Sequence, residues 1–270
     1  MAVPYSRVLL TGAVGRIGTV IRKALAPKCE LLRVSDIRPV VAEHASEEAV
    51  ECDLADGEAV TRLCDGIDAI IHMGGRPGEG PWPQLLQANV VCTMNLLEAA
   101  RINKVGRVIF ASSNHVTGMY ASGRTLSPAS PVRPDSLYGL TKAFGEDATA
   151  YYAFKYGIRG FCLRIGSFTP RPNNRRALST WCSHDDLVRL VEVGLTADYA
   201  HEIVYGVSKN TRSWWDNSAA EKLGYQPQDN AEEYAAGVEH IIATDPLERD
   251  FQGGDRVPHE FSGNPDWMLG

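Results

Sequence analysis

The stretch VLLTGAVGRIGTVI, residues 8 to 21, joins a short apolar run to a helical pattern through a turn with three glycines. Gly12, Gly15 and Gly18 follow the run, and apolar residues then recur at helical spacing. Glycines let the backbone approach a phosphate group, and the amides and dipole at a helix N-terminus stabilise its charge. A glycine turn between a strand and a helix therefore predicts a dinucleotide-binding site.

Short apolar runs alternate with helical patterns along the first 165 residues. Helices are predicted from Ile17 to Pro27, over 85–102 and from about Tyr138 to Tyr156. The runs are continuous, as is typical of strands buried on both faces; they are RVLLT (7–11), LLRVS (31–35), AIIHM (69–73), RVIFASS (107–113) and GFCLRI (160–165). The alternation predicts an α/β fold, a Rossmann-type doubly wound parallel sheet.

The composition changes after residue 165, where SFTPRPNNRRALSTW (167–181) is rich in Pro, Asn and Arg and predicts a binding loop. SHDD (183–186) predicts a capped helix start, and NSAAEKLGY (217–225) a shorter helix closed by Gly224. We expect a cofactor-binding core over 1–165, with later segments contributing to the sheet. Residues 166–270 form a small, mainly helical substrate-binding portion in this interpretation, without a clear linker.

The bulk composition is that of an ordinary globular enzyme or binding protein. The chain is 44% hydrophobic and 22% charged, with a net charge of -6 and a pI near 5.7, which offers no basic surface for nucleic acid. Six scattered cysteines without metal-ligand spacing indicate reduced, buried thiols, and no metal site is expected. The apolar run near the N-terminus is too short for a signal peptide or membrane span. We therefore expect a cytoplasmic protein that binds no membrane.

The ends of the second and third strands carry acidic residues that bear on the cofactor. Asp36, eighteen residues after Gly18, is placed to accept hydrogen bonds from the adenosine ribose, which favours NAD over NADP. Arg38 leaves two alternatives open, a 2'-phosphate contact or a solvated surface arginine. Asp53 is predicted either to receive the adenine amino group or to cap a helix.

Tyr138 and Lys142 are four residues apart in LYGLTK (137–142), so a helix places them on one face. A tyrosine becomes a useful base only if its pKa, about 10 in water, falls toward neutral. A nearby ammonium and an oxidised nicotinamide ring supply that stabilisation in a dry pocket. The alternative is a surface pair on an amphipathic helix.

These motifs together resemble the extended branch of the short-chain dehydrogenase/reductase family. The likeness rests on TGxxGxxG at Thr11 to Gly18, on YxxxK at Tyr138 to Lys142, and on serines ending the fifth strand. It implies a Ser, Tyr, Lys active site with Ser113 as the hydroxyl, Ser112 being the rival, and NAD as cofactor. It also implies cofactor contacts from Gly12, Gly15, Arg16, Ile17, Gly18, Asp36, Ile37, Arg38, Asp53, Leu54, Met73, Gly74, Gly75, Asn89, Tyr138, Lys142 and Ile165.

Longer segments narrow the resemblance to the uronate dehydrogenases. They are FASSNHVTGMY (110–120), RIGSFTPRPNNRRALSTWCSHDDLV (164–188), WWDNS (214–218) and NPDW (264–267). That family oxidises the anomeric carbon of D-galacturonate and D-glucuronate with NAD to aldarolactones, and commonly forms dimers through helices that flank the active site. The resemblance thus implies a sugar-acid substrate and a homo-oligomer.

A uronate site needs a cation for the carboxylate and hydrogen-bonding groups for the sugar. The resemblance implies Arg176 as the carboxylate-binding residue, whose planar fork suits a bidentate contact. Arg171 and Arg175 are expected to be exposed, while Trp214 and Trp215 are either sugar platforms or core. The expected substrate contacts are Gly75, Arg76, Ser113, Asn114, His115, Tyr138, Ser167 and Arg176.

One loop departs from the family pattern, because Pro77 stands where a serine is expected to contact substrate. The backbone of Gly75 and Arg76 is therefore the expected contact. Two other function classes stay open: an epimerase or dehydratase acting on a nucleotide sugar, and a non-catalytic NAD-sensing protein. The first is expected to need a larger C-terminal domain, and an intact Ser, Tyr, Lys set argues against the second.

Overall fold

The computed structural model describes residues 5–269, and within them a seven-stranded sheet runs in the order β3-β2-β1-β4-β5-β6-β9. The strands are β1 Tyr5–Thr11, β2 Cys29–Asp36, β3 Glu47–Glu51, β4 Ala69–His72, β5 Arg107–Ser113, β6 Arg159–Ile165, β7 Ser167–Phe168, β8 Trp181–Cys182 and β9 His201–Gly206. β7 and β8 form a separate parallel pair. The Rossmann-type parallel sheet predicted from the sequence is confirmed.

The α-helices of the described range are α1 Arg16–Leu25, α2 Gly57–Leu63, α3 Trp82–Leu85, α4 Cys92–Ile102, α5 Leu137–Tyr156, α6 Ala177–Thr180, α7 His184–Thr196, α8 Ser218–Lys222, α9 Ala235–Val238, α10 Pro246–Asp250 and α11 Asp266–Leu269. Of these, α1 to α7 lie between the strands, and α8 to α11 follow β9. Single turns of 3-10 helix lie at Ala26–Lys28, Asn114–Thr117, Ala231–Tyr234 and Gly254–Arg256, and a π-helical segment at Leu86–Val91.

The register of the central strands is parallel throughout the described pairs. Leu9 of β1 lies opposite Arg33 of β2 and Ile70 of β4, and Ile70 lies opposite Val108 of β5. Five consecutive residues of β2, 32 to 36, are buried, as is typical of a parallel strand covered on both faces, although three of them are polar: Arg33, Ser35 and Asp36. The carboxyl ends of these strands carry the predicted site residues, as expected for this architecture.

The chain divides into two compact units, each built from three segments. The first unit comprises Met1–Ala111, Phe144–Cys162 and Gly194–Glu202; the second comprises Ser112–Ala143, Leu163–Val193 and Ile203–Gly270. A core cluster of the first unit joins β1, β4 and β5 to α2, α4 and the later part of α5. The second unit has two smaller clusters, one around Trp215 and one around Trp181. The boundary predicted at residue 165 stays a prediction.

The proline, capping and glycine signals in the sequence predict most helix ends to within a few residues. α1 ends at Leu25, and Pro27 lies in the 3-10 turn that follows. Ser183 accepts a hydrogen bond from the Asp186 amide (3.0 Å) at the start of α7, and Gly224 adopts a φ of +102° after α8. The helix expected over 85–102 begins earlier, at Trp82, and contains a π-helical segment at Leu86–Val91 between α3 and α4.

Two further observations concern the whole described range. Across residues 5–269, no helix combines the length and the apolar character that a membrane crossing needs. The six cysteines are all buried and none is paired in a disulfide in the part of the chain that the structure describes.

Candidate active site

The glycine turn of the first unit is closed by backbone contacts that leave no room for side chains. Gly12 has a φ of +70°, and a Cβ there would lie 2.7 Å from the Gly74 nitrogen. A Cβ on Gly18 would overlap the Gly12 carbonyl oxygen. The N-cap residue of α1 is Gly15, so no side chain caps the amides at the start of this helix, and its first turn holds no acidic residue. The turn therefore fits a bound pyrophosphate, as the sequence predicts.

Asp36 lies at the end of β2 and is 8% exposed. Its carboxylate accepts hydrogen bonds from the backbone amides of Val14 (3.2 Å) and Arg38 (3.1 Å). The Arg38 side chain folds back onto the same carboxylate at 3.1 Å while staying 60% exposed, so it is a surface arginine paired with Asp36. Ile37, between them, is 63% exposed. A ribose hydroxyl at Asp36 would share the carboxylate with Arg38.

Asp53 is exposed and accepts a hydrogen bond from the Ala55 amide at 2.9 Å. The alternative that Asp53 caps a helix is wrong, because the N-cap of α2 is Asp56, which accepts from the amides of Glu58 and Ala59. The preceding loop forms a local turn that shifts the cap three residues along the chain. Leu54 lies against the turn after β4, where a Cβ on Gly74 would be 3.3 Å from its Cδ1.

Asn89 holds the turn that follows β4. Its side-chain oxygen accepts from the Arg76 amide (2.8 Å), and its side-chain nitrogen donates to the Arg76 carbonyl (3.2 Å). Asn89 lies in the π-helical segment, where its own carbonyl accepts from the Thr93 hydroxyl at 2.6 Å. Gly75 has a φ of +134°, and Arg76 and Pro77 are exposed. The amide of Asn89 thus positions the Gly75–Arg76 backbone, while its predicted cofactor contact stays a prediction.

The serine, tyrosine and lysine of the predicted active site all lie in the second unit. Ser113 ends β5 and is 5% exposed; its hydroxyl accepts from the His115 amide at 3.3 Å. On α5, the Lys142 Nζ lies 5.7 Å from the centre of the Tyr138 ring. Lys142 is 6% exposed, and burial lowers the pKa of its ammonium to about 8. Ser112, the rival serine, is buried at 3%.

Arg176 is held by a group of residues that we call the arginine seat: Asn114, Ser167, Gln252 and Gly254. Its Nε (3.1 Å) and Nη2 both donate to the Gln252 carbonyl, and its Nη1 donates to the Ser167 hydroxyl (3.3 Å). With the Asn114 amide oriented to satisfy both neighbours, its oxygen accepts from Arg176 Nη2 (3.0 Å) and its nitrogen donates to the Ile165 carbonyl (3.0 Å).

The seat fixes which part of the guanidinium is left for a ligand. Of the five N–H groups of an arginine, four have partners here, and the remaining one belongs to Nη1 within the described part of the chain. Burial lowers the pKa of Arg176, while the charges of Asp255, Asp135 and Glu248 act in the opposite direction. A carboxylate would therefore approach along the Nη1 side rather than across the Nε–Nη2 edge.

The remaining predicted residues lie beside Arg176, in the core or on the surface. Ser167 is partly buried and its hydroxyl also contacts the Thr180 hydroxyl at 2.8 Å, while Ile165 is 6% exposed. Trp215 stacks on Tyr205 (4.8 Å between ring centres) in a buried cluster, which makes it core rather than a sugar platform. Arg171 and Arg175 are exposed, as expected.

Sequence reasoning missed three residues of this region, Asp135, Gln252 and Gly254. Asp135 accepts a hydrogen bond from the His115 Nδ1 (2.8 Å), and a Cβ on Gly254 would lie 2.8 Å from the Arg176 Nε. Gln252 is fully buried, with its side chain bonded to Trp215 Nε1 (2.8 Å) and to the Arg124 carbonyl (2.7 Å). No local pattern could have connected Gln252 with Arg176 across 76 positions. Asp135 precedes Tyr138 of the YxxxK motif by three residues, and this proximity in sequence is the one signal that could have placed it near the active site.

The fold and the site together define a class of protein. The model of the NAD dependent epimerase/dehydratase family matches residues 8–184, and the chain belongs to that family. Within it, the chain is 49% identical over 257 residues to the uronate dehydrogenase of Pseudomonas syringae pv. tomato, with 93% of each chain covered. The resemblance to uronate dehydrogenases predicted from the sequence is confirmed.

Solved structures agree with this likeness. A variant of uronate dehydrogenase from Agrobacterium tumefaciens complexed with NAD is 44% identical, with a TM-score of 0.90 and coverage of 94% of this chain and 97% of that one. A glucuronic acid dehydrogenase from Chromohalobacter salexigens is 43% identical, with a TM-score of 0.89 and coverage of 97% and 98%.

Proposed function

We propose that the protein catalyses the NAD-dependent oxidation of the anomeric carbon of hexuronic acids, D-galacturonate and D-glucuronate, to aldarolactones. The observation that carries this proposal is the arginine seat, which holds a partly buried guanidinium in the same unit as Ser113, Tyr138 and Lys142. A neutral sugar would leave that cation without an anionic partner, at an energetic cost. The names of the relatives, uronate and glucuronic acid dehydrogenases, support the same substrate class.

The glycine turn and Asp36 are the residues that would hold NAD, through its pyrophosphate and its adenosine ribose. When bound, NAD supplies the hydride acceptor. The fit rests on Gly12 and Gly18, where an added Cβ would overlap backbone atoms of Met73 and Gly74 or the Gly12 carbonyl, so only glycine allows this tight turn before α1. The membership of an NAD-dependent family and the NAD complex of a relative support the choice of cofactor.

Tyr138 acts as the base: its phenolate form accepts the proton of the anomeric hydroxyl. The Lys142 ammonium, 5.7 Å from the ring centre, stabilises that phenolate in a buried environment where charges interact strongly. With its pKa at about 8, Lys142 is still mostly protonated at neutral pH. The Ser113 hydroxyl accepts from a backbone amide, so its own proton is available for the substrate oxygen.

Arg176 binds the substrate carboxylate through Nη1, with Ser167 beside it. Asn114 and His115 follow Ser113 along the same turn and complete the contacts with the sugar. The contacts of Gly75 and Arg76 with substrate remain predictions from the sequence.

The test is an NADH absorbance assay with a panel of free uronates, neutral aldoses and nucleotide sugars. We expect NADH release with D-galacturonate and D-glucuronate, and a loss of about two orders of magnitude or more in turnover for Tyr138→Phe, because general-base catalysis contributes that much. NAD affinity should stay nearly unchanged in this variant. Turnover with nucleotide sugars alone, or no turnover while NAD still binds, would reject the proposal in favour of the two alternatives.

We further propose that the protein works as a homo-oligomer in the cytoplasm. Free, buried cysteines fit a reducing compartment. Helix α5 exposes large apolar side chains, including Phe154 at 75% and Leu140 at 47%, which suits an interface. Light scattering coupled to size-exclusion chromatography measures the mass in solution, and a monomer at micromolar concentration would contradict this part.

A further inference from the structure

Asp135 is a buried carboxylate bonded to His115 of the proposed substrate site, and the proposed mechanism does not require it. Its side chain is fully buried, whereas that of His115 is 17% exposed. One carboxylate oxygen accepts from the His115 Nδ1 at 2.8 Å, and the other accepts from the Ser136 hydroxyl at 2.7 Å. Burying a carboxylate is costly unless it is hydrogen-bonded, so these two donors account for its presence there.

The surroundings of Asp135 fix its position. A Cβ on Gly118 or on Gly253 would overlap its Oδ2, so both glycines pack their backbones directly against the carboxylate. The Asp135 amide donates to the His115 carbonyl at 3.3 Å, which ties the two residues a second time. The His115–Asp135 pair is therefore held in one arrangement by main-chain contacts as well as by the side-chain bond.

The bond determines the form of the His115 ring. An ionised carboxylate only accepts hydrogen bonds, so Nδ1 must carry the hydrogen and, in the neutral ring, Nε2 has the lone pair. The ring packs edge-on against Tyr138, with 5.9 Å between ring centres and 71° between planes. Among the described residues, Nε2 has no hydrogen-bond partner, which leaves it for a ligand.

We propose that Asp135 is a positioning residue: it holds His115 in the Nδ1–H form, so that Nε2 accepts a hydrogen bond from a hydroxyl of the substrate. This inference rests on the proposed function and deepens it, because it assigns His115 to a sugar hydroxyl and leaves the carboxylate to Arg176. A residue that only filled space at position 135 would not select one form of the ring.

The first test needs no kinetics. Two-bond 1H–15N NMR spectra of ring-labelled protein distinguish the two neutral forms of a histidine, and His115→Gln identifies the His115 signals among the seven histidines. We expect the Nδ1–H form in the wild-type protein at a pH where the ring is neutral, and a mixture or the Nε2–H form in Asp135→Asn. A dominant Nε2–H form in the wild-type protein would overturn the inference even if no variant folds.

The second test is a double-mutant cycle of Asp135→Asn and His115→Gln with D-galacturonate. We expect Asp135→Asn alone to lower kcat/KM about ten- to a hundredfold, by analogy with the outer-shell partners that orient metal-ligating histidines. In the His115→Gln background the same change should cost less than about twofold, because Asp135 acts through His115. An equal loss in both backgrounds would show a structural role and reject the proposal.

Asp186→Asn is the matched control, since Asp186 is also a fully buried carboxylate of the second unit, bonded to Arg189 and to the Gln228 amide. We expect it to lower stability and to leave kcat/KM within about twofold. A loss equal to that of Asp135→Asn would count against a specific role for Asp135. If the wild-type protein oxidises no uronate, the proposed function fails, whereas the NMR result still decides the inference about the ring.

Discussion

The glycine turn and the arginine seat are built in opposite ways. The turn takes its three glycines, Gly12, Gly15 and Gly18, from seven consecutive positions, and at Gly12 and Gly18 the backbone passes too close for a side chain. The seat surrounds Arg176 with residues from three distant parts of the chain, including Gln252 and Gly254 near the end. One site is a property of a local backbone, and the other exists only once the fold has formed.

This difference explains why tolerance to mutation should differ. In the turn, the constraint is steric, because an added Cβ would overlap carbonyl and amide groups of the backbone, which cannot move without changing the turn. In the seat, the constraint is on the orientation of one flexible side chain, which can shift at a lower cost. We therefore expect substitutions at the glycines of the turn to have larger effects than substitutions in the seat.

Gly18→Ala should have the largest effect. The added Cβ would overlap the Gly12 carbonyl oxygen, so the backbone of the turn has to move and the pyrophosphate site is lost. We expect no detectable NAD binding at millimolar NAD by calorimetry, together with a loss of stability of about 3 kcal/mol or more, because backbone overlap exceeds ordinary overpacking.

Gly57→Ala is the matched control, since Gly57 is the first residue of α2 and its nearest neighbour for an added Cβ is an Asn95 side-chain atom at 3.6 Å. It should leave NAD affinity unchanged and stability equal or slightly higher. Wild-type affinity in Gly18→Ala would mean that the turn has an alternative conformation that accommodates a Cβ at position 18 and still binds NAD.

Lys142 is a second local feature. Its burial should affect how the stability of the ligand-free protein depends on pH. Burial lowers its pKa from 10.5 to about 8. Between these values the unfolded chain keeps a proton that the folded protein has lost, so the contribution of Lys142 to stability rises with pH and is lowest below about pH 8. The interval corresponds to about 3 kcal/mol at the usual conversion.

Denaturant unfolding of the wild type and Lys142→Met at pH 7.5 to 10 measures this contribution. We expect the free energy of unfolding of the wild type to rise relative to that of the variant across this pH range. The titratable groups that both proteins share contribute equally and cancel in the difference. Lys155→Met, which removes an exposed lysine of the same helix, should show no such gain. Parallel profiles for the wild type and Lys142→Met would show that the ammonium is not desolvated as described.

The sequence predicted the local features and missed the distant ones for a physical reason. Strand β5 was predicted with its exact bounds, because its apolar run ends where the chain turns, and the Tyr138–Lys142 pair followed from helix geometry alone. Gln252 carries no signal of its own, since it contacts Arg176 through a main-chain carbonyl that any residue could supply. The cap at Asp56 instead of Asp53 depended on a turn that only the fold determines.

Arg176→Ala should have the next largest effect, and on uronates only. Charged hydrogen bonds contribute about 1.5–3 kcal/mol, so kcat/KM for D-galacturonate should fall about thirtyfold while any slow oxidation of neutral aldoses is unchanged. Arg175→Ala, which removes the exposed neighbour, should change neither. Equal losses on uronates and aldoses would remove the carboxylate role from Arg176.

Gly254→Ala tests the seat itself and should have the smallest effect. The backbone there has a φ of +65°, and the added Cβ would lie 2.8 Å from the Arg176 Nε, so the guanidinium has to tilt away from the Gln252 carbonyl. A side chain that can yield is displaced at a modest cost, and we expect about a tenfold loss in kcat/KM for uronates, mostly in KM.

The backbone strain at Gly254 can be separated from the contact with Arg176. Gly224 also has a positive φ, +102°, but nothing lies within 4 Å of a Cβ added there. Gly224→Ala therefore costs the same kind of backbone strain, about 1 kcal/mol of stability, and should leave uronate kinetics unchanged. If Gly254→Ala behaves like Gly224→Ala in both stability and kinetics, then the orientation of Arg176 does not depend on the seat. The carboxylate site would in that case be as local as the glycine turn.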